Sequence, residues 1–189
     1  MIRPGKAGEG DRRNGGGGGE HGQAVGMEYK SATLGVCTAS APSTPSGSPS
    51  PKNGGGYLRI TGYASLWGVA DLAGDVVVQG AFAASVASRG PGGVRMLYQH
   101  GEGTPVGVWT RIEEDDRGLK VEGQILDITP EGRMAAALVR VGCLDGLSIG
   151  FRAVRARRDG RLRVLAEVDL WEVSLVTFPM LPGARFTSG

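Results

Sequence analysis

Histidine is nearly absent from this chain. Two of its 189 residues are histidine, His21 and His100, and His21 lies in a glycine run that cannot support a folded site. Acid–base chemistry near neutral pH that uses an imidazole therefore falls to His100. Cysteine is as scarce. Cys37 and Cys143 stand in unrelated contexts, and neither a disulfide framework nor a metal site follows from them. With one usable histidine and scattered carboxylates, no metal or other cofactor is expected. An excess of one charge is lacking too. The formal net charge is +2, which carries no electrostatic mandate for nucleic acid. No apolar run reaches transmembrane length, and the N-terminus lacks the apolar stretch of a signal peptide. The expectation is a soluble, intracellular protein without a membrane partner.

Glycine, by contrast, is abundant, with 34 residues that cluster toward the N-terminus. Residues 1–56 include the run Gly15 to Gly19, then Ser40-Ala41-Pro42-Ser43-Thr44-Pro45 and Gly54-Gly55-Gly56. Such a stretch holds too little apolar surface to offset its ordering entropy, so a disordered leader is expected there. Within it, Met27 to Leu34 reads as a short first strand, near residues 28–36, and Met27 competes with Met1 as the translational start. The folded domain is expected over residues 57–186, enough for one modest core.

Along that domain the pattern alternates between strands and turns. Tyr57-Leu58-Arg59-Ile60-Thr61-Gly62-Tyr63-Ala64 has the period of a half-buried strand. Gly80 to Ser88 fits a helix, ended by Arg89-Gly90-Pro91-Gly92-Gly93. Val94 to Tyr98 reads as a buried strand that delivers Gln99-His100 at its end. Pro105–Ile112 and Gly118–Ile125 form a hairpin across the acidic turn Glu113 to Arg117. Thr129-Pro130 starts a second helix, with Met134, Leu138 and Val141 at helical spacing. Gly146 to Val154 is a strand, and Leu162–Leu165 and Val168–Phe178 supply the last ones. The arginines between Arg152 and Arg163 read as a solvated hairpin around Asp159-Gly160. Many short strands with two helices predict an α+β fold on a small, closed, mostly antiparallel β-barrel.

Two residues could do chemistry with His100. Ser148 sits between Gly146 and Gly150, where small neighbours would let backbone N–H groups approach an oxyanion. A serine there also fits a small residue in a glycine-interrupted strand. It is not set in the strand–turn–helix elbow of the α/β-hydrolases. Glu172 falls by strand parity on a face with Val168, Leu170, Ser174 and Val176. A carboxylate there is costly unless a donor such as an imidazole N–H pairs with it. Glu167 and Asp169 face solvent, yet either could replace Glu172 if the strand bulges.

Six segments in order resemble the prohead (capsid maturation) protease family of tailed bacteriophages. They are Gly62-Tyr63-Ala64-Ser65-Leu66-Trp67-Gly68; Gly74-Asp75-Val76-Val77 with Gly80-Ala81-Phe82; Met96 to His100; Pro105 to Trp109; Gly146 to Phe151; and Leu170 to Pro179. Gln79 and Met180-Leu181-Pro182 depart from the family's usual residues, outside the proposed triad. The resemblance implies a serine endopeptidase with the fold of herpesvirus assemblin, a small β-barrel ringed by helices. It implies Ser148 as nucleophile, His100 as general base and Glu172 as the acidic third member. It further implies action in the host cytoplasm, inside the assembling procapsid. The partner would be the major capsid protein, whose scaffolding segment is removed, with self-cleavage besides. The competing expectation is an inactive scaffold or capsid-assembly module of the same fold.

Overall fold

The computed structural model describes the backbone of residues 28–29 and the whole of residues 56–189. The expected leader lies, apart from 28–29, outside the described residues. Eleven elements follow one another: β1 (Glu28–Tyr29), β2 (Tyr57–Leu66), β3 (Asp75–Val77), α1 (Ala83–Gly93), β4 (Arg95–Tyr98), β5 (Pro105–Glu114), β6 (Gly118–Leu126), α2 (Pro130–Arg140), β7 (Gly146–Asp159), β8 (Leu162–Val176) and β9 (Phe186–Ser188). The strands form one sheet in the order β1-β7-β8-β4-β5-β6-β2-β9, with β3 attached to β8.

The architecture is α+β, but the sheet is an open, mixed half-barrel rather than a closed antiparallel barrel. β3 and β4 both run parallel to β8, while the other pairings are antiparallel. Across the opening of the curl, β7 meets the segment before β9 through the isolated bridge Gly146–Arg185 rather than through a full ladder. Pro179 and Pro182 precede that point; a proline donates no ladder hydrogen bond, so a full closing strand does not form. The concave face holds a core that includes Ile60, Phe82, Met96, Trp109, Val121, Ile125, Leu147, Phe151 and Leu175.

Helix α1 rests on β5 and β8, and α2 rests on β5 and β6. Thr129 caps α2, its hydroxyl accepting from Gly132 N at 3.0 Å. The buried face of α2 is not the one expected. Gly132, Ala135, Ala136 and Val139 face inward, whereas Met134 is 44% and Val141 68% exposed. Small side chains let this helix lie close to the sheet, with Val139 in the core and Leu138 packed against its edge, while Met134 and Val141 are turned outward. The acidic turn between β5 and β6 is more than a solvated loop. Glu114 accepts from Gly80 N and Phe82 N at the start of α1. Asp115 accepts from the Tyr63 hydroxyl at 2.6 Å and from Arg117 N and Gly118 N. The Tyr63 hydrogen bond, chiefly, holds the Asp115 carboxyl below its ordinary value and pushes the phenol up.

Candidate active site

Strand β8 organises the region around His100, Ser148 and Glu172, because it lies between β7 and β4. Its register with β7 pairs Ser148 with Ser174 and Gly150 with Glu172, but then Phe151 with Leu170. Trp171 is thus an extra residue, a β-bulge. The bulge reverses the parity read from the sequence. Before it, Val168 and Leu170 belong to the core; after it, Val173 and Leu175 do. Glu172 and Ser174 therefore point to the opposite, outer face, where Gly146, Ser148 and Gly150 of β7 also point. The sequence expectation that Glu172 shares a face with Val168 and Leu170 is corrected by this one inserted residue.

The outer face is nevertheless buried at this place. Ser148 is 3%, Glu172 2% and Ser174 0% exposed. Gly150 makes room for the carboxylate: a Cβ built there would stand 2.2 Å from Glu172 Oε1. On the side of Gly146, a Cβ would meet the Pro179 ring at 2.8 Å, so the segment after β8 covers that end. Met180 and Leu181 continue this cover, lining with Val69, Asp71 and Ser148 a cavity of about 20 Å³, room for one water. Met180 and Leu181 thus line the same small cavity as Ser148.

His100 comes from β4. That strand runs parallel to β8, with Tyr98 beside Leu175, so the chain has already passed the level of Glu172 when β4 ends. The backbone then turns back through two left-handed residues, Gln99 (φ 52°) and His100 (φ 60°). Such a conformation costs a non-glycine residue on the order of 1 kcal/mol and persists only where neighbours hold it. Here Gln99 N donates to Leu175 O at 2.9 Å, and Gln99 Nε2 donates to Thr177 Oγ1 at 2.6 Å. Thr104 Oγ1 donates to the carbonyls of Gly101 and Tyr98. The turn so held places His100 Nδ1 2.7 Å from Glu172 Oε1.

The structure thus brings His100 and Glu172 into contact, and sets Ser148 across from Ser174, the residue whose hydroxyl donates to Glu172 Oε2. The two alternative carboxylates are engaged elsewhere. Glu167 pairs with Arg155 at 3.8 Å. Asp169 accepts from Arg89 at 2.7 Å and from Trp171 Nε1 at 2.8 Å, with Arg152 at 3.5 Å. Burial pushes Asp169 up, yet the hydrogen bonds and positive charge of these partners hold its carboxyl below the ordinary value. Ser174 was not singled out by sequence, although it shares parity with Glu172 and sits two residues away. That shared parity was the available signal.

Although Gly146 to Gly150 spells Gly-x-Ser-x-Gly, it is continuous strand with no following helix. What the arrangement offers chemically is an imidazole paired with a buried carboxylate and a serine hydroxyl on the adjacent strand, across from Ser174; groups of these three kinds serve nucleophilic acyl transfer. Among the described residues no group of three or more His, Cys, Asp or Glu is placed to hold a metal ion. No helix among them is long and apolar enough to cross a membrane.

Comparison with known proteins agrees in direction. The family model of the caudovirus prohead serine protease matches residues 48–188. The prohead protease of Enterobacteria phage HK97 is 35% identical over 127 residues, covering 62% of this chain and 54% of that protein. The chain thus spans about half the length of this relative. The bacteriophage T4 capsid assembly protease has a similar fold, with a TM-score of 0.54 at 14% identity over 64% of this chain and 82% of that one. The KSHV protease, solved with a hexapeptide phosphonate inhibitor, gives a TM-score of 0.48 at 15% identity over 71% and 65% of the two chains.

Proposed function

The chain belongs to the caudovirus prohead serine protease family, and from that premise we propose that it is a serine endopeptidase of capsid maturation. Ser148 Oγ attacks the scissile carbonyl while His100 accepts its proton and later returns it to the leaving amine. Glu172, on Nδ1 of the ring, sets the tautomer that directs Nε2 to the serine and stabilises the imidazolium. Backbone N–H groups near Ser148 hold the oxyanion. The substrate is the scaffolding segment of the major capsid protein, followed by the protease itself, inside the assembling procapsid.

The observation that carries this reading is the 2.7 Å contact between His100 Nδ1 and Glu172 Oε1. Its value lies in its cost: a carboxylate this deeply buried is unfavourable unless donors meet it, and one of the two donors is the domain's single histidine. The test is co-expression with the capsid precursor, followed by mass spectrometry of both products. Ser148→Ala is expected to fold as the parent does and to leave the precursor intact. Full processing by that variant would overturn the reading and leave a capsid-assembly module in its place.

A further inference from the structure

We infer that Ser174 is a positioning residue for Glu172, fixing which carboxylate oxygen meets the His100 ring. The inference rests on the reading above, in which Glu172 orients that ring. An ionised carboxylate is an acceptor only, and its two oxygens need donors when buried. Here each has one: Oε1 meets His100 Nδ1 at 2.7 Å, and Oε2 accepts the Ser174 hydroxyl.

The second bond differs in kind from the first. Ser174 and Glu172 are two residues apart on one strand, so their bond ties no separate elements together. Its effect falls on the torsions of the glutamate side chain. Opposite that side chain stands Gly150, which offers clearance but no side chain to hold the carboxylate from below. Without the hydroxyl, Oε2 would be a buried acceptor that has lost its donor, and rotation to share both oxygens with His100 becomes the way to recover one. Ser174 also stands directly across from Ser148. The residue thus sits between nucleophile and acid, fully buried, and its part in the reaction runs through Glu172.

The test uses the full chain and a peptide spanning a cleavage site mapped by the co-expression experiment. Ser174→Ala is expected to lower kcat by about tenfold or more with KM within about twofold. The proton NMR resonance of the His100 Nδ1–H is expected to shift or broaden in the same variant. Ser174→Thr, which keeps the hydroxyl, is expected to stay within a few-fold of the parent. A Ser174→Ala protein with parental kcat overturns the inference. So does a loss carried by KM, a loss with the ring resonance unmoved, or a threonine variant as poor as the alanine one. Failure of the functional reading looks different: the parent and Ser148→Ala would then cleave equally or not at all.

Discussion

Two acidic residues three positions apart on β8 meet opposite fates. Asp169 precedes the Trp171 bulge and Glu172 follows it, so they serve different elements. Asp169 sits among permanent cations, Arg89 and Arg152, and the Arg89 guanidinium also lies 5.4 Å from the centre of the Trp171 ring. Its charge is fixed, and it fastens α1 to the sheet. Glu172 is 2% exposed and is met by an imidazole and a hydroxyl. The lesson is that the partners a carboxylate is given, as much as its burial, decide what it can do. What distinguishes Glu172 is that one of its partners is an imidazole, the group that the proposal casts as general base.

Neutralising each carboxylate in turn should separate them most strongly. Glu172→Gln leaves a hydrogen-bonding side chain of the same size but removes the charge and permits the wrong imidazole tautomer. Its kcat/KM is expected to fall about 10³–10⁴-fold, measured on a peptide substrate with the melting temperature as a control. An activity within tenfold of the parent would end the claim that Glu172 is the third member. A smaller effect is expected from Gly150→Ala, which alters no polar group. Its methyl would occupy space 2.2 Å from Oε1 and displace the carboxylate, for an expected loss of about 10²-fold. Parental activity there would show that the carboxylate's position is not critical.

The smallest effect belongs to Asp169→Asn, expected to change kcat/KM by less than about twofold and to reduce stability by about 1 kcal/mol or less. The pH dependence gives the sign. The folded-state carboxyl of Asp169 is held below its ordinary value of 3.8. Its contribution is therefore present above that value and is lost as the pH falls through the lower, folded one. Urea unfolding of parent and variant should differ by a constant amount at neutral pH and converge below about pH 4. A difference that grows on acidification would contradict the assignment.

Much of the local structure was legible because local chemistry decides it. Thr129-Pro130 begins a helix wherever it occurs in such a context, and the alternation on either side of Glu113 to Arg117 can only pair as a hairpin. The position of His100 at a strand end was equally plain. Non-local choices were not legible. Nothing in Val94 to Tyr98 or Val76 to Val78 says that β4 and β3 lie parallel to β8, and that mixed order is what separates the observed half-barrel from the expected closed barrel. Parity placed Glu172 correctly relative to Ser174 but wrongly relative to Leu170, since one bulged tryptophan leaves no mark in a pattern of alternating residues. On α2 the larger apolar residues at helical spacing outweighed the small ones in the reading, although alanine and glycine are what close helix–sheet packing requires.

The drawing of the three side chains from β8 and the two strands beside it has a temporal consequence. His100 and Glu172 are 72 residues apart in sequence, and Glu172 is the last of the three to be synthesised. On the proposed assignment, a growing chain holds its base and its nucleophile before its orienting acid exists. Even a finished chain is inert until β4 has joined the β7–β8 hairpin, a long-range pairing of the kind that slows folding. Hydrolysis would then begin with completion of the fold, and a half-made protease could not cut the proteins being translated beside it.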